Sequence, residues 1–138
     1  MHTKRLDKMA TEARYTIRKY VIASLHYMEN ALLMLNNRDS GKASELLWGS
    51  MMEALQAVAA SRGIRLANHR SLRWFIASLG KELSDKSIVE AFYQAENLHN
   101  NFHEVELAPE DVAMVVEPIR TTVARLLDLI PKELVNEP

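Results

Sequence analysis

The sequence predicts an all-α fold, an up-and-down bundle of about five helices with a long N-terminal helix. The chain of 138 residues contains four Gly and four Pro, too few for the tight turns that separate the strands of an all-β protein. Apolar residues recur at three- and four-residue spacing along most of the chain. No segment alternates apolar and polar residues as a half-buried strand does, and this also favours helices.

Composition narrows the class of protein further. The hydrophobic fraction of 48% and the charged fraction of 25% are typical of a globular protein, and the length predicts one domain over residues 1–138. The absence of Cys excludes disulfides, thiolate metal sites and cysteine nucleophiles. Because there is no 18-residue apolar run and no signal-like start, we expect a cytoplasmic protein without a membrane partner.

The first helix is predicted to be unusually long. Residues 4–37 contain neither Gly nor Pro, and residues 36–41 are rich in turn-forming side chains. Such a helix would reach roughly 50 Å, so we expect a break near its start or an end that protrudes from the bundle. Its predicted inner face comprises Leu6, Met9, Ala13, Ile17, Tyr20, Ser24, Met28, Ala31 and Leu35.

The second helix is predicted to lie at the centre of the bundle. Nearly every residue from Lys42 to about Arg62 is apolar or small, apart from one polar strip. A helix with so narrow a polar edge is surrounded on most sides. Gly49 in the strip favours close helix packing over a ligand contact. The strip consists of Glu45, Gly49, Glu53, Gln56 and Ala60.

The longest predicted connection, residues 63–68, precedes the third helix. Either Asn68 or Ser71 is expected to cap that helix, and Gly80 lies near its end. Its predicted buried face is Leu72, Phe75, Ile76 and Leu79.

Two more helices complete the predicted bundle. The fourth is expected to begin at Ser84 or Asp85 and to run to about His103. The fifth is expected to begin at Pro109, to kink at Pro118 and to stop at Pro131, with loose residues after it. The predicted inner faces are Ile88, Ala91, Phe92, Ala95, Leu98 and Phe102, and then Val112, Val116, Ile119, Val123, Leu126 and Ile130.

The densest polar cluster lies on the fourth helix. Its members share one helical side because they are three, four and seven residues apart, and they are Glu96, His99, Asn100 and His103. These four are the candidate catalytic residues.

A metal site at this cluster is not predicted. Two His four residues apart beside a carboxylate can bind a divalent cation. A bundle di-metal site, however, needs Glu-x-x-His on two helices and two further Glu, whereas His26 and Glu29 on the first helix stand in the reverse order. A nucleophilic triad is not predicted either, because no Ser stands in a Gly-x-Ser-x-Gly elbow. We expect no cofactor, because no Gly-rich phosphate loop is present.

Charge is distributed unevenly along the chain. Residues 54–81 contain no acid, whereas residues 82–111 contain eight acids and one base. The basic stretch, followed by Trp74, predicts a phosphate-binding edge with a stacking ring. The alternative is that its arginines pair with the acidic helix of residues 84–104, in this or a neighbouring subunit. The predicted ligand-binding residues are Arg62, Arg65, His69, Arg70 and Arg73.

Three segments together resemble a known family. These are residues 43–49 (ASELLWG) with Glu53 and Ala54, His69 with the apolar residues that follow it, and residues 98–104 (LHNNFHE). Over about residues 40–106 they are similar to the archaeal PaREP-type helical family, which resembles the HEPN superfamily of nucleotide-binding helical bundles. His103 stands where the pattern has Tyr.

This resemblance implies a HEPN-like bundle that is commonly dimeric and carries polar functional residues on a late helix. Many HEPN proteins are ribonucleases with an Arg and a His on that helix, but here Glu96 stands in place of the Arg. A carboxylate there repels phosphate. The first hypothesis is therefore a homodimeric, non-catalytic module that binds a nucleotide, RNA or a nucleotidyltransferase. The alternative is a divergent metal-independent ribonuclease in which His99 or His103 acts with Asn100 and Glu96.

Overall fold

The computed structural model describes residues 2–101 and 107–136. This part of the chain contains six helices and no strand, which confirms the all-α prediction. The helices are α1 (His2–Asn36), α2 (Ser40–Ser61), α3 (His69–Glu82), α4 (Lys86–Asn101), α5 (Pro109–Asp128) and α6 (Lys132–Val135). The short helix α6 was not predicted and corrects the expectation of loose residues after Pro131.

The long first helix is continuous from His2 to Asn36, without the break that was one of the two expectations. Its first buried side chain among those described is Ile17, and the side chains of residues 10–13 are exposed. The turn of residues 10–13 therefore lies outside the core, in agreement with the expected protruding end, and Ala13 is not on the inner face as predicted. The side chains of Leu6 and Met9 lie outside the described residues. Farther along, α1 buries Ser24, Met28 and Ala31 against the other helices.

Helix α2 is the central helix, as its narrow polar strip predicts. It packs against α1, α3, α4 and α5. Half of its residues are buried, among them a run of apolar side chains that join the core cluster. These are Leu47, Trp48, Met51, Ala54, Leu55, Ala57, Val58 and Ala59.

Two buried serines connect α1 to α2. The Ser24 hydroxyl donates to the carbonyl of Ser50 at 2.8 Å, and the Ser50 hydroxyl donates to the carbonyl of Ser24 at 2.8 Å. Each hydroxyl is thus satisfied inside the core, where an unpaired one would be costly.

The helix starts follow local capping chemistry. The Asn68 side chain accepts from the Ser71 amide at 2.8 Å, while the Ser71 hydroxyl accepts from the Asn68 amide, so both predicted candidates act together in a capping box. Asp85 accepts from the Ser87 amide at 2.9 Å and caps α4. Helix α5 begins at Pro109 as predicted and continues through Pro118.

The packing of α3 on α4 depends on a missing side chain. A Cβ atom on Gly80 would lie 2.7 Å from Cγ2 of Val89, so glycine permits the close approach of the two helices. Arg125 of α5 forms an ion pair with Asp85 at the start of α4. In the described part of the chain, no helix has the length and apolar character needed to cross a membrane.

Candidate functional site

An open pocket of about 470 Å³ lies where α1, α2, α3 and α4 meet. Its size falls within the range of small-molecule sites. The wall combines aromatic rings with a single carboxylate among the described residues. The lining residues are Tyr27, Glu45, Leu46, Trp48, Gly49, Met52, His69 and His99.

Trp48 is the centre of the aromatic wall. Its indole stacks on the imidazole of His99, with ring centroids 5.4 Å apart and planes inclined by 19°. The ring of His69 lies 5.4 Å from the indole at 51°, and Phe92 meets it edge-on from the core at 5.5 Å. The two imidazoles are 5.8 Å apart. Three helices thus contribute rings to one surface.

The carboxylate of Glu45 orients His99. Nδ1 of His99 lies 3.0 Å from Oε1 and 3.3 Å from Oε2 of Glu45, and both side chains are about one third exposed. A carboxylate on one ring nitrogen fixes the direction of the other, so Nε2 is the nitrogen of His99 left for a ligand.

A second carboxylate, that of Glu96, lies behind the wall. Glu96 is 4% exposed, and its two oxygens accept from Nε of Arg73 at 3.1 and 3.2 Å. Nδ1 of His69 is 3.7 Å from Oε2 of the same carboxylate. This buried charge is stable because it is paired, and the pair ties the start of α3 to α4.

Gly49 forms the floor beneath Tyr27. A Cβ atom there would lie 3.0 Å from Cδ2 of Tyr27, so the phenol ring rests almost directly on the α2 backbone. The glycine serves the close packing of α1 on α2, as predicted, and it also lines the pocket.

The predicted basic residues do not form one cluster. Arg62 makes two hydrogen bonds of 2.8 Å with Glu82. Hydrogen bonding in this pair raises the pKa of Arg62 and lowers the pKa of Glu82. Arg73 is paired with Glu96, whereas Arg65 and Arg70 are exposed and form no ion pair with any described residue. Of the five, His69 alone lines the pocket, and Arg73 supports it from behind.

The late-helix residues divide in the same way. His99 is part of the aromatic wall and Glu96 lies behind it, on the inward side of α4 that the helical spacing predicts for both, whereas Asn100 is exposed and does not line the pocket. His103 lies outside the described residues. His26 and Glu29 are exposed on α1, and within residues 2–101 and 107–136 no three His, Asp or Glu side chains are arranged to bind a metal ion.

The sequence reasoning did not assign Glu45, Trp48 and Tyr27 to the site. A signal for Glu45 was present, because it is an acid in the narrow polar strip of an otherwise apolar helix. No comparable signal marked Tyr27, whose position depends on how α1 packs on α2.

The comparison with known families agrees with the sequence motifs. A model of the archaeal PaREP1/PaREP8 family matches residues 19–123, a longer stretch than residues 40–106, to which the resemblance was first assigned. No curated protein matches the chain. The relation to the HEPN superfamily stays a prediction from the sequence.

Proposed function

The chain belongs to the archaeal PaREP1/PaREP8 family, and we propose that it binds a nucleotide or single-stranded RNA without catalysis. The aromatic pocket is the observation that carries this proposal. Every nucleobase has a flat face that stacks on aromatic side chains, and such stacking contributes about 1–3 kcal/mol per base. Tyr27, His69 and His99 offer partly exposed rings to a single ligand, and the buried indole of Trp48 supports the two imidazoles.

The start of α3 supplies the matching features for a phosphate. His69 is the first residue of α3 and lines the pocket, and Arg70 follows it directly. The first amides of a helix attract anions. Arg65 and Arg70 add two exposed cations without an ion-pair partner among residues 2–101 and 107–136. Arg70 thus brings positive charge to the end of α3 that borders the pocket.

A binding assay with a charge-matched control tests the proposal. Fluorescence anisotropy with a labelled single-stranded RNA is measured over a series of salt concentrations for the parent protein, for Arg65→Gln/Arg70→Gln and for Arg120→Gln/Lys132→Gln. The logarithm of the binding constant falls linearly with the logarithm of the salt concentration, and the loss of two phosphate contacts reduces the steepness of this line by about 1.4. We expect this decrease in the first variant and not in the second, which loses the same charge from other helices. Absence of binding by the parent protein would refute the function.

A second function, metal-independent RNA cleavage, is favoured by one observation. The carboxylate–imidazole contact of Glu45 and His99 is an arrangement that general acid–base catalysts use. Incubation with RNA in chelator tests it. Cleavage by the parent protein that is lost in His99→Ala would support catalysis. Intact RNA in the parent sample would contradict catalysis and leave binding as the proposed function.

We also propose a homodimer through the outer face of α1. Tyr15, Ile22 and Leu33 are 70%, 62% and 53% exposed, and with His26 they follow one another at separations of seven, four and seven residues. They therefore form one apolar stripe along the helix.

Charge complementarity favours a second copy as the occupant of this stripe. An antiparallel pairing centred on Ser24 brings Tyr15 beside the partner's Leu33 and Lys19 beside the partner's Glu29, and the two-fold axis repeats both contacts. Light scattering at micromolar concentration should give the dimer mass. Ile22→Glu should give the monomer mass, and the matched control Met114→Glu, at another exposed apolar position, should not. A monomeric parent protein would contradict the proposal.

A further inference from the structure

We infer that the pocket prefers guanine to the other nucleobases and that Glu45 provides the preference. This inference rests on the proposed nucleotide-binding function. It starts from the polar atoms that the wall presents. Among the described lining residues, Glu45 is the one carboxylate, and it is set among apolar and aromatic groups that carry few competing acceptors.

An ionised carboxylate accepts hydrogen bonds and donates none. Guanine has two neighbouring N–H donors on its Watson–Crick edge, the ring N1–H and the exocyclic amino group, which match the two oxygens of a carboxylate. Adenine and cytosine each have an amino group beside a ring nitrogen that accepts, and the single N–H of uracil lies between two carbonyls. These acceptors would face the carboxylate and repel it, so only guanine can bind it through two parallel bonds.

Glu45 can make these bonds by exchanging partners. Nδ1 of His99 lies 3.0 and 3.3 Å from the two oxygens of Glu45, on the carboxylate edge that guanine needs. The side chains of Glu45 and His99 are 35% and 31% exposed, so the two N–H donors of guanine can replace the imidazole at this edge.

The surrounding charges favour a nucleotide over a cationic ligand. Aromatic rings beside a carboxylate can also hold an ammonium or guanidinium group. Here Arg70 follows the lining residue His69, and Arg73 neutralises Glu96 behind the wall. The guanidinium of Arg70 repels a cation and attracts a phosphate, while the pairing of Arg73 leaves Glu96 without a net charge that would attract a cation.

Titrations with four nucleotides test the preference. Trp74 is 59% exposed, so Trp74→Phe leaves Trp48 in the pocket as the one fluorophore of its kind. Guanosine, adenosine, cytidine and uridine monophosphate are each titrated into this protein, with L-arginine amide as the cationic probe. A good two-bond contact discriminates between bases by roughly 5- to 150-fold. We expect a preference for guanosine monophosphate in that range.

Glu45→Gln distinguishes base selection by Glu45 from a purely structural role, because only selection changes the relative affinities for the bases. A Gln amide presents one acceptor and one donor, which match the ring N1 and amino group of adenine. It cannot accept from both N–H donors of guanine, which can pair with an amide through N1–H and O6 instead. The ratio of the affinity for guanosine monophosphate to the affinity for adenosine monophosphate should therefore fall at least about fivefold in the variant. The matched control Glu53→Gln removes the same charge from the polar strip of α2 at a residue that does not line the pocket, and its preference should equal that of the parent.

Each outcome decides the inference. Equal affinity for the four nucleotides, or tighter binding of L-arginine amide, would overturn the guanine preference; equal nucleotide affinities would leave the binding function intact. Binding of no nucleotide and no RNA would overturn the function itself. An equal loss of all four affinities in Glu45→Gln would assign Glu45 a structural role and refute its part in selection. Should that variant fail to fold, the parent titrations alone decide the preference.

Discussion

The imidazole of His99 covers one face of the Trp48 indole, with centroids 5.4 Å apart and planes 19° from parallel. The indole is 4% exposed, although it borders an open pocket. Its burial therefore depends on a side chain from another helix. This contact joins the central helix to the late helix at the candidate site.

Removal of His99 should expose Trp48. In the Trp74→Phe protein, His99→Ala should shift the emission of Trp48 to longer wavelength and increase quenching by iodide. The lost ring contact should lower the free energy of unfolding by about 1 kcal/mol. His26→Ala, on the exposed side of α1, serves as the control. Unchanged emission in His99→Ala would show that His99 does not cover the indole.

Arg73 and Glu96 should be strongly coupled. Arg73→Met removes the guanidinium from the buried carboxylate of Glu96, which keeps the ring of His69 at 3.7 Å. Because the guanidinium is itself about half exposed, the change should lower the free energy of unfolding by about 2 kcal/mol. The double variant Arg73→Met/Glu96→Gln should recover part of this loss, since no charge is then buried. Urea unfolding of the parent, both single variants and the double variant measures the coupling. Additive losses would contradict the pairing.

Gly49→Ala should alter the pocket more than the stability. Alanine favours the helical backbone by about 1 kcal/mol, but its Cβ atom would lie 3.0 Å from the Tyr27 ring, which must move. We expect these effects nearly to cancel in the parent. In the Tyr27→Ala protein, Gly49→Ala should raise the free energy of unfolding by about 1 kcal/mol. Equal effects in both proteins, measured by urea unfolding, would show that the ring does not rest on Gly49.

Gly80→Ala should destabilise the contact of α3 with α4. The new Cβ atom would overlap Cγ2 of Val89, and overpacking of this kind costs about 1–3 kcal/mol, more than the helical preference of alanine recovers. Val89→Ala removes the overlapping methyl groups. The double variant should therefore be more stable than the sum of the two single losses implies. Thermal unfolding is followed by circular dichroism. If the loss of stability in the double variant equals the sum of the losses in the two single variants, the proposed overlap of Gly80 and Val89 is contradicted.

Glu53 should reduce stability as the pH rises. Partial burial raises its pKa above the ordinary value of 4.5, and the attraction of Lys19 offsets this in part. The folded state thus holds the proton more tightly than the unfolded state, so the contribution of the protonated form is lost as the pH rises through the folded pKa.

Glu53→Gln lacks this titration. The difference in unfolding free energy between the variant and the parent should therefore grow in favour of the variant from pH 4 to pH 7. We expect a change of at most about 0.5 kcal/mol, because solvent screens a charge that is only partly buried. Urea unfolding at several pH values measures it, with Glu90→Gln as the control. A difference that stays constant or reverses would contradict the assignment.

Periodicity and local chemistry predicted much of the fold. The narrow polar strip identified α2 as the central helix, and the start of α3 followed from Asn68 and Ser71, because caps depend on residues that are close in sequence. Helix α6 was not predicted, because its four residues are too few to show the helical spacing of apolar side chains.

The sequence predicts less of the candidate site than of the fold. The spacing of Glu96 and His99 correctly placed both on the inward side of α4, since three residues span nearly one helical turn. The partners of these two side chains, Arg73 and Glu45, come from other helices. Such pairings depend on the rotation and register of packed helices, which one sequence does not reveal.

The reciprocal bonds between Ser24 and Ser50 have a consequence for recognition. Tyr27 lies one helical turn beyond Ser24, and Gly49 is the neighbour of Ser50, so the serines lock the alignment of the very segments that form the cleft wall. If α1 moved along α2 by one helical turn, about 5.4 Å, both buried hydroxyls would lose their hydrogen-bond partners. The shape of the cleft wall is therefore set from within the protein.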